Sequence, residues 1–161
     1  MPHNETTAAR KLRAALARAE PKLRAISESD SAKHPAPGKW SPRQIIGHLI
    51  DSASNNHQRS VRAAFRDDLI FDAYEQDGWV ELQRYHDASW DGLLTFWAAF
   101  NRHIATVMDA VPEEARLRIR ERHNLDVIAT HAPNSREQQT LEYFMNDYVD
   151  HLELHLRQIP G

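Results

Sequence analysis

Apolar residues recur at helical spacing in four long stretches of the chain, separated by polar segments. The first stretch carries Ala8, Leu12, Ala15, Leu16, Ala19 and Leu23, steps of three and four that place a stripe on one helix face. Pro21 is expected to interrupt or kink this helix, because proline lacks a donor and crowds the preceding turn. Residues 27–39 are rich in Ser, Pro and Gly and read as a loop. The second helix has a marked start. Ser41 suits the N-cap, Pro42 the first helical position, and Gln44 completes a capping box. Trp40 and Ile45 are placed to staple that cap. Ile45, Ile46, Leu49, Ile50 and Ala53 follow, and the pattern extends to about Phe65.

Residues 66–88 are looser, with a short helix expected from about Trp79 to Arg84. Ser89 then caps a third helix carrying Leu93, Leu94, Trp97, Phe100, Ile104, Val107, Met108 and Val111, and Pro112 marks its end. Residues 113–139 are polar and weakly periodic, a partly helical connection. The last helix begins near Gln139 and carries Leu141, Phe144, Tyr148, Leu152, Leu156 and Ile159, with Pro160-Gly161 after it. No alternating strand pattern stands out. Four amphipathic helices bury their stripes most simply around one core. The expected fold is therefore an all-α four-helix bundle, a single domain over residues 1–161.

Composition narrows the chemistry. The chain of 161 residues has a formal charge of −3 and no block of Lys or Arg, so the footprint of a nucleic-acid binder is missing. No apolar run approaches the length of a membrane span. The N-terminal residues MPHNETTAAR show no apolar secretory segment, so a cytoplasmic location is expected. Cysteine is absent and histidine is abundant, at 10 residues. Any thiol chemistry must use a thiol from outside the protein.

His151 and His155 are four apart on the last helix and lie on its core-facing stripe. Imidazoles facing a core are costly unless hydrogen-bonded or metal-bound, and neutral imidazole is the commonest metal ligand. His48, inside the second helix, is the best third ligand. A core-edge histidine bonded to a backbone carbonyl is the competing reading. Three histidines would leave open positions on a metal, as catalytic sites do. Asp51, Ser52, Asn55 and Arg59 follow His48 at helical intervals and form one polar strip. His57, nine residues on from His48, falls out of phase and reads as a surface residue. The chain has no His-Glu-x-x-His, no Glu-x-x-His, no glycine-rich phosphate loop and no Gly-x-Ser-x-Gly elbow, which argues against zincins, di-iron bundles, nucleotide sites and serine hydrolases.

The string WSPRQIIGHLIDSA at 40–53 resembles the second-helix motif of the DinB-like superfamily, and DYVDHLELHLRQI at 147–159 its last-helix motif. The stretch YEQDGW at 74–79 is similar to the YfiT-type, bacillithiol-transferase-like branch. The resemblance implies a four-helix bundle with a divalent ion, nickel or zinc, on His48, His151 and His155. It also implies small-molecule chemistry, with low-molecular-weight thiols as cosubstrates in some relatives and hydrolysis suggested for others. The first expectation is transfer of such a thiol to a small electrophile. The second is hydrolysis by metal-activated water. The third is a non-catalytic, stress-related metal-binding bundle. Exposed helix faces could pair as a homodimer. Asn55 and Arg59 are candidates to orient an anionic ligand, against a reading in which they are solvent-facing or partner Asp51 and Asp147. Asp147, one turn before His151, is placed to hydrogen-bond a ligand histidine. Tyr148 is expected in the core with its hydroxyl satisfied, and Trp79 at the pocket mouth.

Overall fold

The computed structural model describes residues 5–160. Gly161, read above with Pro160 as the close of the last helix, lies outside them, as do residues 1–4. The elements are α1 (Thr7–Arg24), α2 (Glu28–Ser31), α3 (Pro42–Ala63), α4 (Gln76–Leu82), α5 (Trp90–Ala110), α6 (Glu113–Leu117), α7 (Leu125–Ile128) and α8 (Leu141–Leu156). Two 3₁₀ turns, Tyr85–Asp87 and Arg136–Gln138, complete them. Among the described residues there is no strand, only an isolated bridge between Leu69 and His123.

The four long helices α1, α3, α5 and α8 form the bundle. Helix α1 packs on α5 and α8, and α3 packs on the same two. The first two long helices therefore sit diagonally across the core. Helices α3 and α8 run antiparallel. His48 near the start of α3 meets His151 and His155 near the end of α8, while Arg59, late in α3, lies over the Phe144 ring near the start of α8. The stripes read from the sequence fill the interior: Leu12, Ile46, Leu49, Leu94, Trp97, Ile104, Met108 and Leu152 are all buried. No helix among the described residues is long and apolar enough to cross a membrane.

The capping box at α3 forms as the sequence requires. Ser41 Oγ accepts from the Gln44 amide at 3.4 Å, and Gln44 Oε1 accepts from the Ser41 amide at 2.9 Å. This fixes where α3 begins, and so the phase at which His48 points inward. Gly47 is required beside it, because the Tyr85 ring lies where a Cβ would sit, at 2.2 Å.

Three expectations change. Pro21 does not interrupt α1. The helix continues through it to Arg24, and Ala25 donates to the Pro21 carbonyl at 3.3 Å. Pro21 lies so near the end that the lost bond is one of the last in the helix. The 27–39 loop opens with the short helix α2, capped by Ser27 Oγ accepting from the Asp30 amide at 3.0 Å. His57 is half-buried rather than on the surface, its ring 5.5 Å from Phe100 and 5.4 Å from His103, both on α5.

The charged connection at 113–139 is anchored from within. Arg120 is only 2% exposed. Its guanidinium donates to the carbonyls of Ala63 at 2.9 Å, Ala115 at 2.8 Å and Arg118 at 3.2 Å. Asn124 pairs with the backbone of Phe71 in both directions, at 3.1 and 2.8 Å. Arg120 ties 113–139 to the end of α3, Asn124 holds it against 66–75, and both segments border the site.

Candidate metal centre

His48, His151 and His155 each offer a nitrogen to one small cluster, with all three nitrogens within 4.8 Å of one another. His48 is fully buried and the other two are half-buried. The Nε2 atoms of His48 and His151 are 3.4 Å apart. Two nitrogens on one tetrahedral ion, each about 2.0–2.1 Å from it, stand about 3.3 Å apart.

Neighbouring side chains turn the rings toward that common point. His155 Nδ1 lies 3.3 Å from Gln158 Oε1, to which it can donate, leaving Nε2 free to accept an ion. His151 Nδ1 lies 3.4 Å from Ser52 Oγ. His48 Nδ1 is buried with no hydrogen-bond partner. His48 Nε2, the nitrogen that faces the cluster, meets only the Nε2 of His151, and two neutral imidazoles turned nitrogen to nitrogen fit a centre completed by an ion. Trp40 walls the cluster, its ring 5.0 Å from His48 and 6.4 Å from His155.

The three rings are held neutral. Burial, reinforced by His155 and His151, pushes His48 down to about 3. Burial, with His155 and Arg59, pushes His151 down to about 4. Burial lowers His155 as well, against the opposing bond from Gln158. Neutral imidazole is the ligand form. The depression also predicts a pH dependence for the metal-free protein. Between about pH 3 and the ordinary 6.5, the unfolded chain binds a proton at His48 that the folded chain refuses, so stability rises with pH. The contribution is intact above 6.5 and is lost as pH falls toward 3. His48 alone is expected to cost about 2 kcal/mol between pH 7 and 5. Urea unfolding of the metal-free protein and of His48→Gln at both pH values checks this. Equal pH slopes for the two would refute it.

His151 and His155 line a cavity of 380 Å³ bounded by α3, α8, residues 73–76 and residues 127–130, with His48 buried behind them. Ser52, Asn56, Arg59, Tyr74, Thr130 and Asp147 contribute its polar lining. The sequence strip on α3 thus reaches the cavity through Ser52 and Arg59. Asn55 does not line it. Its amide donates to the Asp51 carbonyl of its own helix at 2.9 Å, and Asn56 takes the lining position. Asp51 is buried, accepting from Tyr85 and Gln83 at 2.7 Å each, and burial raises its carboxyl above the usual range despite those bonds. Asp147 does not bond to a ligand histidine. Its two oxygens accept from the Thr130 and His131 amides at 2.8 Å each, and His131 Nδ1 adds a contact at 3.1 Å.

Tyr74 and Thr130 come from loops whose position no helical periodicity announces, so sequence reasoning missed them. Trp40 was legible only as a staple. Tyr148 is in the core, its hydroxyl donating to Asn101. Trp79 is 37% exposed and backs Tyr74 at 4.8 Å rather than lining the cavity.

An all-helical bundle with three inward imidazoles beside a cavity defines a class of candidate metal proteins. The chain belongs to the DinB superfamily, whose profile matches residues 11–159. The resemblance carried by 40–53 and 147–159 therefore holds. A solved structure, YfiT from Bacillus subtilis, described as a probable metal-dependent hydrolase with an unusual four-helix bundle topology, superposes with a TM-score of 0.74. The match covers 99% of this chain and 85% of that one at 19% identity. No curated protein matches.

Proposed function

We propose that this protein is a metal-dependent enzyme that transfers a low-molecular-weight thiol to a small electrophile at His48, His151 and His155. The observation that carries the reading is the meeting of three neutral imidazoles, two of which line a cavity large enough for a small molecule. All-nitrogen ligation suits nickel or zinc. A divalent ion there would lower the pKa of an incoming thiol and make thiolate available at neutral pH. The thiol comes from solution, since the chain has no cysteine. Sulfur forms the new bond to carbon, the leaving group departs with its electron pair, and the thiol proton goes to solvent.

The chain's own groups favour thiol over water as nucleophile. Among the described residues, the carboxylate that lines the cavity is Asp147, and both its oxygens are committed to loop amides. It is poorly placed to serve as the general base that hydrolysis commonly recruits. A thiol is far more acidic than water to begin with, so with its pKa lowered by an ion it would depend less on such a base. Hydrolysis is the second reading, supported by the description of YfiT as a probable metal-dependent hydrolase.

Cobalt substitution separates the two. The cobalt-loaded protein, titrated with 2-mercaptoethanol, is expected to gain a sulfur-to-metal charge-transfer band that strengthens as pH rises. The protein supplies no thiolate of its own, so the band can only report the added thiol. A loaded site that no thiol perturbs at any pH would overturn thiol transfer and put hydrolysis first.

A further inference from the structure

Arg59 is an unusual arginine in this fold. It is 8% exposed, yet among the described residues no carboxylate pairs with it. One protein hydrogen bond is made, from Nη2 to the Asp72 carbonyl at 2.7 Å. A guanidinium carries five N–H donors, and a buried cation is costly unless its charge and donors are met. Arg120, the other deeply buried arginine, shows the structural solution, with its guanidinium on three carbonyls. Arg59 lacks that solution and lines the cavity instead.

Its setting holds the guanidinium in place. The Phe144 ring lies beneath it, 5.8 Å from Cζ, and the Asp72 carbonyl anchors one nitrogen. Tyr74 and Thr130 line the same cavity and offer hydroxyl donors, while the Asn56 amide donates to the Ser52 carbonyl of its own helix at 2.8 Å. The one carboxylate lining it among the described residues, Asp147, is held by the loop amides of Thr130 and His131 and forms no ion pair with Arg59. The far end of the cavity therefore carries a guanidinium that no carboxylate contacts, although Asp72 acts on it through space, with the Tyr74 and Thr130 hydroxyls beside it. Phe144, under the guanidinium, and His151, at the metal end, are two helical turns apart on α8, about 10 Å along its axis.

We infer that the electrophile is a small organic carboxylate, with its carboxylate on Arg59 and its reacting carbon toward the three histidines. A guanidinium fork matches a carboxylate in shape and charge. A phosphate monoester would bring more charge than the single cation balances. This rests on the reading of the histidine cluster as the reacting end and adds the substrate class to it.

The test uses the full chain, metal-free and zinc-loaded, with sodium hexanoate and its neutral counterpart hexanamide as probes. Binding is followed by the NMR shift of the Arg59 side-chain N–H. Hexanoate is expected to bind the metal-free protein at least about tenfold more tightly than hexanamide. Arg59→Gln should remove that preference, and Arg59→Lys should keep part of it, read from the loop amides of Thr130 and His131. Equal binding of the two probes, or a preference that survives in Arg59→Gln, would overturn the proposal. So would inorganic phosphate binding more tightly than hexanoate. If Arg59→Gln proves unfolded, Arg59→Lys decides: a hexanoate preference equal to or above wild type counts against a guanidinium-specific site, and a reduced one supports it. The metal-free measurement does not depend on the ion, so failure here leaves the metal reading standing, and failure of metal binding leaves this result interpretable.

Discussion

His48→Ala, His151→Ala and His155→Ala, made singly, are expected each to weaken metal binding by at least about a hundredfold. Loss of a residue that merely supports a ligand costs roughly ten- to a hundredfold, and these changes remove the ligand itself. The three nitrogens form one cluster within 4.8 Å, so deleting any of them leaves two donors and an open cavity. The helical fold should persist in each variant, because the core is built from apolar residues of all four long helices. His57→Ala is the control. Its ring packs against Phe100 and His103 on α5, so metal binding should be unchanged. Zinc titration with a competing chelator, alongside circular dichroism, reads both quantities. Undiminished metal affinity in any two of the three ligand variants would refute the assignment.

Arg120→Met is expected to destabilise the protein by about 3 kcal/mol, a large effect for a position outside the site. The guanidinium bonds the carbonyls of Ala63, Ala115 and Arg118, and its own amide donates to the Gln139 carbonyl at 2.8 Å. The Ala63 carbonyl belongs to the last turn of α3, where a cation meets the negative end of the helix dipole. Methionine fills similar volume, removes the donor from the Ala115 and Arg118 carbonyls, and leaves the Ala63 carbonyl only a long bond from the Arg66 amide at 3.4 Å. Arg122→Met, at an exposed position two residues on, should stay within about 0.5 kcal/mol of wild type. Urea unfolding of both variants checks the contrast. Equal midpoints would show that the connection is not held by Arg120.

The two effects differ in how far the sequence foretold them. His48, His151 and His155 were legible because each lies inside a strongly periodic helix with a defined start. The Ser41 and Gln44 cap fixes the phase of α3, and Thr140 caps α8 by accepting from the Tyr143 amide at 3.1 Å. Once phase is fixed, a four-residue spacing places His151 and His155 on one face. Arg120 was not legible. It sits in a charged stretch with weak periodicity, and nothing local distinguishes it from Arg116, Arg118 or Arg122.

The same division runs through the cavity. Arg59 could be put on the strip of His48 by counting turns, but the count could not say that it lacks a carboxylate partner. That depends on where Asp72, Tyr74 and Asp147 arrive from other segments. The choice of Asn56 over Asn55 as a lining residue turns on one helical step, about 100° of rotation, finer than a polar strip resolves. Asp147 was placed correctly one turn before His151, yet the amides of Thr130 and His131 hold its oxygens.

By itself, then, the sequence determined four amphipathic helices, their caps, the all-α bundle and the inward phase of three histidines. Those properties follow from local periodicity and short-range hydrogen bonds, which the chain carries in order. The tertiary structure alone decided that α1 and α3 sit diagonally, that α3 and α8 run antiparallel, and that the segments around Tyr74 and Thr130 close over one end of their interface. Those outcomes depend on contacts between residues far apart in the chain. The buried charges of Arg59 and Arg120 acquire their different roles only there, because one meets three carbonyls and the other meets a cavity.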